Sequence, residues 1–430
     1  MNHPLVKKVY HRVFDKYDRR LEALEQQSRR LAKSNIDLRL QVKALRGEPI
    51  HVVFVCHRPA VWSSLRSVYE AMKRDEHFRV TVVTIPNKKP LPKLGLNHQV
   101  YEDEGAAEFW KDCGCVTGYD GETGRWLDLQ SLQPDYVFFQ QPYNITRAQA
   151  YQSKIVAQYA RICYVAYYGI TEIGEIFDDC NPLDFMEDVD WYFTQNQVDT
   201  PYLVERFARH GLDTQVCLTG FPSYDNLAAC QTAESPLWLP REQERFRAIW
   251  TPRWTTNEGN CHFFAYKDNL LDYCRRSGDM DFVFRPHPQA FSEWSATGEL
   301  TEQQAEAYCR RYDEAEYLHI DRAAGYMDLF FSSDCLISDR SSVMVDYFLT
   351  GKPIIYCVSG PNCDMAADLM EGLYPVHNWE ELVNVLEKLK GGEDPLREKR
   401  REIAEKYFYF PAEGAGERIK NIIRRDAHQE

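Results

Sequence analysis

From Ile50 onward, short apolar runs alternate with longer segments whose apolar positions recur every three or four residues. A run of four to seven apolar residues suits a strand buried on both faces, and the three-to-four recurrence suits an amphipathic helix. His51–Cys56, Arg79–Ile85, Tyr136–Gln140, Ile162–Ala166, Trp191–Thr194 and Val216–Leu218 are the strands this predicts in the first half. Helices are predicted at Trp62–Arg74, Thr146–Tyr159 and Thr200–His210, and Pro86–Leu96 as a loop rich in Lys and Pro. A polar connection carrying Pro236 and Pro240 follows. The alternation then resumes with strands at Arg247–Thr251, Asp281–Arg285, Cys335–Ser338 and Pro353–Val358. Its helices are Phe263–Ser277, Glu302–Tyr312, Ser342–Leu349 and Trp379–Lys390, with Ser341 as the expected N-cap and Gly351 as the stop of the third. Strand–helix alternation of this kind predicts an α/β fold of mostly parallel sheets. Two such series predict two Rossmann-like domains facing a cleft, 50–225 and 226–430.

Residues 1–47 follow another rule. Tyr10, Phe14, Tyr17, Leu21, Leu24, Ser28, Leu31, Asn35, Leu38, Val42 and Leu45 are spaced alternately by four and three, a heptad with Asn35 at an a position. A parallel dimeric coiled coil is the expectation. Lys7, Lys8, Arg12 and Lys16 equally suit a basic amphipathic helix on an anionic membrane, and a helix packed on its own domain is the third option. Charge separates this segment from the rest. Residues 1–46 carry +7 against −14 for the whole chain, which leaves −21 for the remainder. An acidic body argues against nucleic acid as a partner.

Thirteen cysteines are scattered without a CxxC pair, Cys113 and Cys115 forming a lone CxC. Neither a disulfide framework nor a zinc site is expected, and no tightly bound metal. No apolar run is long enough to span a bilayer and the first residues lack a signal-peptide core, so a cytoplasmic protein is expected, peripheral to the membrane at most.

In open parallel sheets ligands bind beyond the carboxyl ends of strands. Three such ends in the second half carry Arg253, then Arg285 and His287, then Arg340, Ser341 and Ser342. Guanidiniums, an imidazole, two hydroxyls and a helix start can together neutralise a diphosphate. Asp346, one turn past Ser342, either orients a ligand hydroxyl or pairs with a cation. The first half lacks a Gly-x-Gly-x-x-Gly after its first strand, which disfavours a dinucleotide site there. It offers instead His57 and Arg58, Tyr143 and Asn144, and Tyr167 and Tyr168 at strand ends. These can bind an acceptor, with His57 either a general base or a loop histidine without a role.

The chain resembles the CDP-glycerol glycerophosphotransferase family, teichoic-acid primases and polymerases with a GT-B fold. The likeness spans roughly Ile50 to Tyr409. Thr219-Gly220-Phe221-Pro222, Thr251-Pro252-Arg253-Trp254, Arg285-Pro286-His287-Pro288 and Ile337 to Tyr347 with Gly351-Lys352-Pro353-Ile354 carry it. Val53 to Leu65 looks like a subgroup found in capsule-type gene products. The resemblance implies a GT-B-like architecture and a CDP-polyol donor, CDP-glycerol or CDP-ribitol, on the second domain. His287, Ser341 and Ser342 would hold its pyrophosphate, with Asp346 near the polyol. A hydroxyl of a lipid-linked or oligosaccharide acceptor would attack the phosphorus bearing the polyol and release CMP. The family usually carries Trp-His-Gly in its first domain with that His as base, whereas Tyr167-Tyr168-Gly169 stands here. A phenol is a poor base at neutral pH. That departure keeps two other readings open, a GT-B glycosyltransferase using a nucleotide sugar and a catalytically silent scaffold of a capsule complex.

Overall fold

The computed structural model describes residues 4–90, 99–103, 105–167, 181–257, 259–323, 325–358 and 366–428, and within these the side chains of all but 4–19, 21–22, 25, 89–90 and 99–100. Two parallel sheets dominate. The first holds β1 (Ile50–Cys56), β2 (Phe78–Thr84), β3 (Val116–Thr117), β4 (Tyr136–Phe139), β5 (Arg161–Val165), β6 (Trp191–Thr194) and β7 (Gln215–Leu218), in the order β7-β6-β5-β4-β1-β2-β3. The second holds β8 (Phe246–Thr251), β9 (Met280–Phe284), β10 (Leu318–Ile320), β11 (Cys335–Ser338), β12 (Ile354–Cys357) and β13 (Tyr374–Val376), in the order β10-β9-β8-β11-β12-β13. Both orders reverse direction once, between β1 and β4 and between β8 and β11. Those reversals are the switch points where α/β sheets open a crevice.

The strands are apolar throughout because both faces are covered. In β1, Val52, Phe54 and Cys56 enter one core while Val53 and Val55 enter another on the opposite face. In β8, Ile249 joins the core shared with the first domain and Ala248 and Trp250 join the second domain's own. One apolar cluster therefore runs from Phe54 through Phe221, Tyr224 and Phe408 to Val345 and Ile354. The crossing backbone needs a glycine. Gly220 has φ +79°, and a Cβ there would lie 2.7 Å from the Tyr409 carbonyl.

Several elements differ from the sequence reading. Thr146–Tyr159 is not one helix. Two 3-10 turns, Asn144–Thr146 and Gln149–Tyr151, precede a short helix, Ser153–Val156, because Arg147, Ala148 and Gln152 are extended. Within the expected loop Pro86–Leu96, Asn87–Pro90 pairs antiparallel with Gln99–Glu102, and 91–98 lie outside the described residues. After α7 (Arg397–Tyr407) the chain returns to the first sheet as α8 (Ala415–His428), which packs on α2 (Ser63–Lys73). Asp225 caps α8 by accepting from the backbone N–H groups of Ala415 and Gly416 at 2.7 and 2.8 Å. At the other end Asp426 accepts from Tyr136 (2.6 Å), Trp191 (3.1 Å) and Arg161.

Helix α1 (Pro4–Arg46) lies along the amino ends of the first sheet, where it buries Ala32, Ile36 and Leu40. Its cations meet acids that begin strands. Arg39 and Lys43 pair with the fully buried Asp135 at 3.2 and 2.6 Å, Lys33 pairs with Asp190 at 3.4 Å, and Asp37 accepts from Arg161 at 2.5 Å. The helix thus packs on its own domain through a face outside the heptad. The heptad side chains Leu24, Leu31, Leu38, Val42 and Leu45 are 44–89% exposed. Tyr10, Phe14, Tyr17, Leu21, Lys7, Lys8, Arg12 and Lys16 lie outside the described side chains. Among the described residues no helix is long and apolar enough to cross a membrane.

Candidate active site

Each switch point is built by one side chain. Gln140, the first residue after β4, is fully buried; its Oε1 accepts from the backbone N–H groups of His57 and Arg58 at 2.7 and 3.0 Å. Asp339, the first residue after β11, is likewise fully buried; its Oδ2 accepts from the backbone N–H groups of Arg253 and His262 at 2.7 and 2.9 Å. Both residues hold the facing strand-end loop in place, so Arg58 and Arg253 emerge on opposite walls of the cleft.

On the second-domain wall the His287 imidazole stacks on Trp254, with ring centroids 5.1 Å apart and planes 18° apart. His287 is open to the cleft on its other side. Its Nδ1 accepts from the Gln289 backbone N–H at 3.2 Å, so the neutral ring carries its proton on Nε2. Partial loss of water against this wall, with the charges of Arg253, Arg58 and Arg285, pulls its pKa down to about 4. At neutral pH this is an uncharged N–H donor that feels the charge of three guanidiniums, one of them from the first domain. An anion placed among them relieves that repulsion.

The other donor-side residues divide. Ser341 and Ser342 are half-buried beside Arg340, which is 9% exposed. The helix they lead into, α5 (Val343–Phe348), is short. Ser342 takes the N-cap position in helical conformation without a side-chain capping bond, so the expected Ser341 cap is not formed. Arg285 pairs with Asp321 and donates to the Ala323 carbonyl at 3.0 Å, so it acts on His287 through its charge. Asp346 is 4% exposed and accepts from two phenols, Tyr224 and Tyr326. Two protein hydroxyls thus occupy the role foreseen for a ligand hydroxyl, and burial pushes its pKa up to about 6.

On the first-domain wall His57 is 4% exposed and Arg58 half-buried. Tyr143 and Tyr167 approach each other, hydroxyl to hydroxyl, at 3.5 Å. Asn144 turns inward: its Nδ2 donates to Ser153 at 2.9 Å and to Asp184 at 3.2 Å. Tyr168 lies outside the described residues.

His262 was missed by the sequence reading. Its Nδ1 lies 2.6 Å from Asp339 Oδ1 and its ring stacks on Tyr266. The available signal was its place at the start of α4 (Phe263–Ser277), on the loop that leaves the second switch point. His262, Asp339 and Cys357 offer ligand atoms within 4.8 Å of one another, the one such trio among the described residues. The His262–Asp339 hydrogen bond accounts for that closeness.

Comparison with known proteins gives the kinship. Solved structures with this architecture include the wall teichoic acid polymerase TagF, 16% identical with TM-score 0.54 over 98% of both chains. A putative UDP-N-acetylglucosamine 2-epimerase from Listeria monocytogenes is 14% identical with TM-score 0.60, over 89% of this chain and 97% of that one. At these identities the likeness concerns the fold, two Rossmann-like domains in a GT-B-like arrangement. The minor teichoic acid biosynthesis protein GgaB of Bacillus subtilis (strain 168) is 27% identical over 155 residues, which are 33% of this chain and 15% of GgaB. The chain therefore spans a small part of that relative's length. The family model described as CDP-Glycerol:Poly(glycerophosphate) glycerophosphotransferase matches residues 183–425, more than half of the chain, and the protein belongs to that family.

Proposed function

We propose that the protein transfers a polyol phosphate, glycerol phosphate or ribitol phosphate, from a CDP-activated donor to an acceptor hydroxyl, releasing CMP. The product would be a teichoic-acid-like or capsular polymer. The carrying observation is the cluster of Arg58, Arg253 and Arg285 around the neutral His287, on the wall that also presents Ser341 and Ser342. In this reading the donor's pyrophosphate sits there, and His287 Nε2–H donates to a phosphate oxygen. The acceptor oxygen forms a bond to the phosphorus bearing the polyol, the bond from that phosphorus to the CMP oxygen breaks, and CMP leaves with the electron pair. Positioning and charge neutralisation supply the rate, as in phosphoryl transfer generally. The acceptor's proton passes to a first-domain base: His57, on the first-domain wall, is one candidate, and Tyr168, from the sequence alone, is the other. A lipid-linked or oligosaccharide acceptor would bind along that wall, and the reaction would run at the inner face of the membrane.

Thermal-shift titration with CDP-glycerol, CDP-ribitol, CMP and UDP-sugars tests the donor, because a ligand that binds only the native state raises the melting point. The expected response is to a CDP-polyol; a response to UDP-sugars alone would replace this reading with glycosyl transfer. Ser341→Ala combined with His287→Ala should abolish CMP release and leave the melting point in place. Unchanged release would refute the site, and no release from the native protein with membranes present would favour the scaffold reading.

The exposed seam of α1 supports a second part of the proposal, pairing with another copy of this chain. Five apolar heptad side chains face solvent while the opposite face is docked. Leu31→Arg with Leu38→Arg should halve the mass seen by light scattering. An unchanged mass, with pelleting of the native protein on phosphatidylglycerol vesicles, would assign the seam to a membrane surface instead.

A further inference from the structure

Arg147 is 3% exposed, and among the described residues its guanidinium has no carboxylate partner. Its ring contacts are Phe139 at 4.3 Å and Phe185 at 5.0 Å, and among the described residues its Nε has no hydrogen-bond partner. A buried, incompletely bonded cation costs several kcal/mol, and such a group calls for an explanation. The explanation lies in what the other two nitrogens hold. One donates to the Gln141 carbonyl at 3.1 Å, the other to Asn144 Oδ1 at 3.0 Å.

Asn144 carries the connection onward. Its Oδ1 also accepts from the Ser153 backbone N–H at 3.0 Å, and its Nδ2 reaches Ser153 Oγ, the Asp184 carboxylate and the Asp184 carbonyl. Ser153 Oγ donates to Asp188 at 2.8 Å, and Asp188 faces Arg29 of α1 at 3.6 Å. The loop after β4, which bears Tyr143, is thereby tied to the segment 181–188 that follows the β5 loop. The loop after β4 meets this guanidinium through Gln141 and Asn144, and the segment 181–188 meets it through the Phe185 ring.

We infer that Arg147 and Asn144 are positioning residues for the acceptor side of the cleft, fixing the loop after β4 against the segment 181–188. The inference rests on the proposed transfer reaction for its catalytic consequence, though not for its structural one. Arg147→Lys keeps the charge and loses the planar fork. Asn144→Ala removes the middle of the connection.

Hydrogen exchange of the native protein and both variants is the first measurement. The expected result is exchange at least about tenfold faster in 141–146 and 181–188, with β8 and β11 unchanged. The second is a split kinetic effect. Transfer to the acceptor should fall by about 100-fold, as misplacement by about 1 Å produces, while the Kd for CDP-glycerol stays within twofold. Unaltered exchange in those loops overturns the inference, as does a CDP-glycerol Kd that weakens in step with transfer. If the native protein takes up no CDP-glycerol, the proposed function falls, and the exchange data alone still decide whether the loops are held this way.

Discussion

Asp346→Asn separates a structural carboxylate from a ligand-binding one. Asp346 sits between Tyr224, on the crossing from the first domain, and Tyr326, and among the described residues no cation pairs with it. Burial raises its pKa from an ordinary 3.8 to about 6, against the lowering effect of the two phenol donors. The sign follows from proton counting. Between pH 4 and 6 the native state holds a proton that the unfolded chain has released, so stability falls as pH rises through this window. At 1.36 kcal/mol per pH unit the loss comes to about 3 kcal/mol and is complete above pH 6.

Asparagine removes that charge but brings an amide N–H₂ into a site built for acceptors, at about 1–3 kcal/mol. The two effects nearly cancel at pH 7.5, where the variant should be about as stable as the native protein. At pH 4.5 native Asp346 is protonated and only about 1 kcal/mol of that loss has accrued, so the variant should be the less stable by up to about 2 kcal/mol. Urea midpoints at pH 4.5, 5.5, 6.5 and 7.5 measure this difference. Asp188 and Asp199 are also raised, to about 6 and about 7, so only the difference between the two proteins isolates Asp346. Parallel profiles across the window would refute the reasoning.

Two further substitutions test how the terminal helices are fastened. In Gly416→Ala the new Cβ would lie 2.5 Å from the Ser67 carbonyl carbon, so α2 and α8 must part; a loss of about 1–3 kcal/mol is expected, read as a fall in Tm. Arg161→Met leaves Asp37 and Asp426 without the cation between them, and the urea midpoint should fall by the equivalent of about 3–5 kcal/mol. A change under about 1 kcal/mol in the second would mean that water serves those carboxylates as well as Arg161 does.

The strands were legible because burial on both faces writes itself as unbroken apolar runs, and Trp191–Thr194 and Cys335–Ser338 fall where the sequence placed them. The two-domain architecture followed from their alternation with helices. The Thr146–Tyr159 helix failed because its apolar spacing is helical, whereas Arg147 satisfies loop carbonyls and draws the backbone out of the helix. Helix α1 shows a different gap. Its heptad is real as a pattern, but Ala32, Ile36 and Leu40 form a second, shorter stripe that wins the intramolecular contact through ion pairs with Asp135 and Asp190. No local signal distinguishes a seam kept for a partner from one used at home. The strand-end rule placed Arg253, His287 and Arg340 just past β8, β9 and β11, as observed, while the inward turn of Asp346 depended on Tyr224 and Tyr326, distant in the chain.

Gln140 and Asp339 show how far the chemistry of a position can be argued from its donors. Each is the first residue past the strand across a switch point, and each receives two backbone N–H groups from the facing loop. They differ in the third bond. Gln140 must also donate, from Nε2 to the Arg58 carbonyl at 3.2 Å, which a carboxylate cannot do. Asp339 faces His262 Nδ1 with its other oxygen and accepts from it, whereas an amide N–H₂ there would require the imidazole to shift its proton to Nε2. The two walls of the cleft are thus fixed by the same device, with amide or carboxylate chosen by the count of donors and acceptors. Since both groups spend their bonding on backbone and on His262, under the proposed reaction the charge that a diphosphate meets would come from Arg58 and Arg253, whose main chains they hold.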